Sequence, residues 1–131
     1  MAHEIQWYIP SRIIRMDIEG DILLDELIDL NQDLKVLLDE GHAPVHLIVD
    51  DTKVGKMPFQ LHKIQTLLDF MHHPSLGWVI GVGEVNPLVN YVIPMITKIV
   101  GINFIRRKTI DETLAFLQSQ DFSIKDNQST E

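Results

Sequence analysis

The sequence predicts an α/β fold, with a mixed, mostly parallel sheet of about five strands and four helices. Three observations carry that expectation. The run Val45-His46-Leu47-Ile48-Val49 is apolar at every position but His46, as a strand covered on both faces requires. Two alternating segments near the start are separated only by Pro10-Ser11, which suits an antiparallel hairpin. Beyond the hairpin, apolar runs of strand length alternate with segments of helical period, the pattern of a parallel βα sheet.

In order along the chain, Ile5, Trp7 and Ile9 alternate with Glu4, Gln6 and Tyr8. In the second segment Ile14, Met16 and Ile18 alternate with Ile13, Arg15 and Asp17. Both read as edge strands with one wet face. Gly20 ends the second, and Asp21 is placed to cap a helix running to about Glu40. Its buried stripe is Leu23, Leu27, Leu30, Leu34 and Leu37, with Gly41 as its C-terminal stop. The opposite face carries Asp25, Asp29 and Asp33, either a solvated face or a contact for a basic protein. After the central strand, which stops at Asp50-Asp51, Pro58 suits the first turn of a second helix. That helix has an apolar face of Leu61, Ile64, Leu68 and Met71 and ends at His72-His73-Pro74. Leu76 to Val82 is a second interior strand. Asn86-Pro87 caps and opens a third helix reaching about Val100. Ile102 to Ile105 is a short last strand, and Thr109 with Glu112 forms a capping box for a final helix with Ile110, Leu114 and Leu117 inward.

Size and composition narrow the function. At 131 residues the chain makes one domain that buries about two-thirds of its unfolded surface; residues 1–120 are expected to form it, with 121–131 a polar tail. The absence of cysteine excludes disulfides, thiolate nucleophiles and cysteine-based metal sites, and fits the reducing cytoplasm. A net charge of −8 argues against a nucleic-acid partner. The start lacks the pattern of a signal peptide, and the longest apolar stretch, Leu88 to Val100, is broken by Asn90, Pro94, Thr97 and Lys98 and is too short to span a membrane.

The hairpin, Gly20-Asp21 before the first helix, the buried strand ending in Asp50, and the segment Thr109-Ile110-Asp111-Glu112-Thr113-Leu114-Ala115-Phe116-Leu117 together resemble a stand-alone STAS domain. That is the fold of bacterial anti-sigma-factor antagonists and of the cytoplasmic tails of sulphate transporters. Val45 to Asp50 and His73-Pro74-Ser75-Leu76-Gly77-Trp78-Val79 resemble a stand-alone bacterial branch of STAS-like proteins. The resemblance implies a right-handed β–α superhelix with strands in sequential order. It also implies a function in binding proteins or small ligands without catalysis. One feature departs from the family. Its antagonists carry a phosphorylatable Asp-Ser-Ser-Gly segment where Pro58-Phe59-Gln60-Leu61 stands here, and no hydroxyl lies between Lys53 and Lys63. A phosphoserine switch at that helix start therefore has no acceptor.

Candidate sites follow from residue chemistry. Asp50 and Asp51 read either as a catalytic or ion-binding pair with His46 or Lys53 beside it, or as one carboxylate accepting loop N–H groups and one solvated. The second reading is preferred, since a pair without a third partner does not define a site. The order of acidic residues does not match a phospho-receiver domain. Gly81-Val82-Gly83 lacks the third glycine of a dinucleotide fingerprint, and Gly55-Lys56 lacks the flanks of a phosphate loop. The adjacent His72 and His73 do not have metal-ligand spacing; they suit the helix C-terminus, while Arg106-Arg107-Lys108 reads as a solvated strand exit. The third helix is apolar nearly all round, leaving a stripe of Asn90, Thr97, Lys98 and Gly101, and Pro94 interrupts it. It is either deeply buried, a subunit interface, or one wall of an apolar pocket.

The expectation is a cytoplasmic, bacterial, non-enzymatic module that acts through a protein partner or as a homodimer, with Asp50, Asp51, Val89, Val92 and Ile96 in contact. The alternative is a carrier or sensor of a lipid or other small apolar ligand, held by Met57, Phe59, Trp78, Tyr91 and Ile93. An enzyme using Asp50 and Asp51 is the third reading. No cofactor and no metal are expected.

Overall fold

A computed structural model describes residues 2–58, 60–121 and 124. A single sheet holds five strands in the order of the chain: β1 (Ala2–Ile9), β2 (Ile13–Gly20), β3 (Val45–Val54), β4 (Leu76–Val82) and β5 (Phe104–Arg107). β1 pairs antiparallel with β2, and every later pair is parallel. Val45 to Asp50 thus runs through the middle of the sheet, as its apolar run requires. Three successive crossovers in one direction, if all of one hand, place their helices on one face. That face carries α1 (Leu24–Glu40), α2 (Leu61–Leu67) and α3 (Pro87–Val100), whose apolar residues form one core with Ile14, Met16, Leu47 and Val79. The opposite face carries α4 (Ile110–Gln120), with Leu117 packed on Ile13, Ile48 and Ile80.

Several expectations are corrected. β2 is not an edge strand, because it is hydrogen-bonded to β1 and to β3. Its Arg15 and Asp17 face is wetter because α4 contacts β4 and β5 rather than this part of the sheet. Asp21 does not cap α1. The helix starts at Leu24 with Leu23 at the uncapped N-terminal position, while the Asp21 carboxylate accepts the N–H of Lys56 at 2.9 Å. The buried stripe runs through Leu27, Leu30, Asn31, Leu34 and Leu38, leaving Leu23 exposed.

The second helix is shorter than expected, and Pro58 precedes it rather than opening it. After α2 the chain tightens into a 3₁₀ turn, Asp69–His72. The cause is Asn31 on α1, whose side-chain carbonyl accepts the N–H of Phe70 (2.9 Å) while its amide donates to Asp69 (2.7 Å). A buried side chain has taken a backbone group that a continuing helix would use. α3 matches its expected limits: Asn86 accepts the N–H of Val89, Pro87 opens the first turn, and Gly101 at φ 87° ends it in the left-handed conformation that glycine tolerates. β5 lies two residues later than expected and includes Arg106 and Arg107. At α4 half of the Thr109–Glu112 box forms: Glu112 N–H donates to Thr109 Oγ1 at 3.1 Å, while the Glu112 carboxylate meets the Thr109 hydroxyl at 3.4 Å rather than its backbone N–H. In the segment read as a tail, Asp121 meets Arg12 and His46, and Ile124 is fully buried in the α4-side core; the rest of that tail, apart from these two, lies outside the described residues.

Candidate functional site

Strand alternation separates the two carboxylates at the end of β3. Val45, Leu47 and Val49 face the α1–α3 layer and Asp51 follows them, whereas Ile48 faces α4 and Asp50 follows it. Asp50 and Asp51 therefore do not act on one centre. Asp50 closes a local turn, accepting both the N–H (3.1 Å) and the hydroxyl (2.7 Å) of Thr52. Its other oxygen lies 3.8 Å from Arg15. Arg15 donates to Asp17, and that hydrogen bond, opposed by partial burial, raises its pKa. Lys53 stands at an open groove with His3, Glu4, Asp17, Glu19 and Asp50.

Asp51 is 3% exposed. Its two oxygens accept from the two terminal nitrogens of Arg106, each at 2.9 Å, a fork-to-fork geometry that suits a charge kept from water. Arg106 reaches from β5 to β3 across the intervening strand at Gly81, where an added Cβ would lie 2.6 Å from the guanidinium carbon. Arg106 is thus an internal tie rather than a solvated exit. A glycine inside an apolar strand run marks the close approach of some other group, but does not say which.

His46 lies on the α4 side, toward the other end of β3, away from both aspartates. Its Nδ1 accepts the N–H of Trp78 (2.9 Å), and its Nε2 faces Asp121 at 3.0 Å. Because Nδ1 accepts a backbone N–H, the ring's single proton sits on Nε2. Burial lowers the His46 pKa, against the opposing pull of Asp121. Asp121 also receives Arg12 at 2.7 Å. His73 accepts the N–H of Ser75 through Nδ1 and meets Asp39 of α1 at 2.6 Å, so it ties the turn to the helix. Asp33, on the acidic face of α1, meets His3 at 3.0 Å. Among the described residues no three histidines or carboxylates gather to hold a metal ion, and no helix is long and apolar enough to cross a membrane.

The third helix divides by face. Val89, Val92 and Ile96 point into the core and are not available as a contact surface. Tyr91 (62% exposed) and Ile99 (58% exposed) point outward, with the half-buried Met95 between them at helical spacing. Beneath α3 and α2 the layer leaves a partly open cavity of about 100 Å³. Met57 and Ile93 line it. Trp78 does not, because β4 turns Val79 toward the cavity and Trp78 toward α4, where it stacks edge to face on Phe116 with ring centres 4.9 Å apart. Tyr91 points away from it, and Phe59 lies outside the described residues.

Neither a family model nor a curated protein matches the sequence. Among solved structures the chain is similar to the anti-sigma factor antagonist SpoIIAA in its unphosphorylated form. The superposition has a TM-score of 0.58 and covers 90% of this chain and 97% of the other, at 9% sequence identity. Such likeness at low identity speaks for shared architecture, and it agrees with the element order and strand order described above. The chain has the STAS-like fold.

Proposed function

We propose that the chain is a non-enzymatic module that works in the cytoplasm by binding a protein, through the outer flank of α3. The observation that carries this reading is the exposure of Tyr91 and Ile99 on one helix whose other face is fully engaged in the core. Aromatic and large aliphatic side chains held on a rigid element are the usual anchors of protein contacts. Support comes also from the solved structure of like fold, which is titled an anti-sigma factor antagonist. The dispersal of Asp50, Asp51 and His46 to three separate environments leaves the acid–base constellation expected of an enzyme unassembled.

A photo-crosslinking residue placed at Tyr91, with a control at the exposed Asp111 on α4, tests the reading in native cells. A defined crosslinked species from position 91 that is missing from position 111 is expected. A product of twice the chain's mass identifies a second copy as the partner; any other mass identifies a different protein. No crosslinking at position 91, or equal crosslinking at both positions, overturns the proposal.

A further inference from the structure

We infer that the cavity under α2 and α3 is a binding site for a small, neutral, apolar molecule about the size of one aromatic ring. Its volume of about 100 Å³ is of the order of the engineered protein cavities, near ~150 Å³, that stay dry and take up benzene or xenon. A long acyl chain exceeds that space, which narrows the lipid expected from sequence to a much smaller guest.

The walls set the chemistry. Among the described residues only two polar side chains line the cavity, Asp51 and Thr97, and both are occupied. Asp51 gives its oxygens to Arg106, and the Thr97 hydroxyl turns back to the carbonyls of Ile93 and Pro94. None of these described side chains is free to pair with an ionic or strongly polar guest, whose burial would go uncompensated. A void of this kind forfeits packing contacts along its walls, and proteins ordinarily close it. Here three of the chain's five methionines, Met16, Met57 and Met71, line it. Methionine is the side chain that re-forms most easily around guests of different shape.

Benzene and benzoate, the same ring without and with a charged carboxylate, test the site on the full chain. Benzene is expected to raise the melting temperature. It is also expected to shift the methyl resonances of Met16, Met57, Ile64 and Ile96 while leaving those of Ile13 and Ile48, on the far face of the sheet, unmoved. Benzoate is expected to bind at least about tenfold more weakly. A filling variant, Val79→Phe, is expected to lose the benzene response. Should it fail to fold, the methyl map of the wild type decides alone. Absence of any benzene shift, shifts spread equally over both faces, or equal binding of benzoate each overturns the inference.

Discussion

At Gly81 a single methyl group decides whether two strands stay tied. Alanine is ordinarily better than glycine in a strand by about 0.5–1 kcal/mol. Here its Cβ would occupy the place of the Arg106 guanidinium, so Gly81→Ala is expected to destabilise, by about 2–3 kcal/mol, as the pair with Asp51 is forced apart. Arg106→Ala, which strands a buried carboxylate, is expected to cost about 3 kcal/mol. The double variant Asp51→Leu with Arg106→Met should return to within about 1 kcal/mol of wild type. Urea unfolding of the three variants measures all of this, and a stabilising Gly81→Ala would contradict the tie. His46 gives a pH dependence at the same scale. Burial lowers its folded-state pKa, with Asp121 and Arg12 the charged groups facing it. Below about pH 6.5 the unfolded chain therefore binds more protons than the folded one. The His46 contribution to stability is complete above about pH 6.5. It falls as pH drops from there toward the folded-state value, by at most ~1.4 kcal/mol per pH unit. Unfolding curves at pH 7.5, 6.5 and 5.5 are expected to show this loss in the wild type and a smaller one in His46→Asn.

Helix and loop boundaries give the second set of outcomes. Asn86 does two things at once: it caps α3 through Val89 N–H and donates to the carbonyls of Val54 and Gly55, joining the loop after β3 to the start of α3. Asn86→Ala is expected to cost about 2 kcal/mol, more than Thr109→Ala at about 1 kcal/mol, since Thr109 serves only its own helix. Asp21 separates the local expectation from the observed arrangement. If it capped α1, its loss would loosen the first turn of that helix. Because it accepts the N–H of Lys56, Asp21→Ala is expected to speed amide exchange at Lys56 and to leave the first turn of α1 as protected as before. Hydrogen exchange resolved by residue distinguishes the two. Local pattern reads helix existence well and helix ends poorly, and Asn31 shows why. Nothing near Phe70 in sequence tells that a side chain thirty-nine positions earlier will claim its N–H.

Across the whole molecule, the sheet is held between two unequal layers. The α4 side is thin, with Leu117 and Ile124 fully buried over Ile13, Ile48 and Ile80. Ending the chain at Gln120 removes Ile124 and Asp121 together, uncovering that core and leaving Arg12 and His46 without the carboxylate they share. The truncated chain is expected to lose about 3 kcal/mol or more, read as a lower urea midpoint. Retention of full stability would show that residues beyond α4 contribute nothing to the fold.

The amino-acid order by itself determined the α/β class, the hairpin, the central place of Val45 to Asp50, the limits of α3 and its N-terminal cap. Each of these depends on residues close in sequence, through side-chain period, the fixed φ of proline and the reach of a capping side chain. Tertiary structure alone decided that Asp50 and Asp51 part company, that Arg106 and not His46 or Lys53 stands beside Asp51, that Val89, Val92 and Ile96 are hidden while Tyr91 and Ile99 are presented, and that Trp78 lies across the sheet from the cavity. Those outcomes depend on register between strands and on which face a later helix covers. They are energies of contact between distant segments, and no local spacing encodes them.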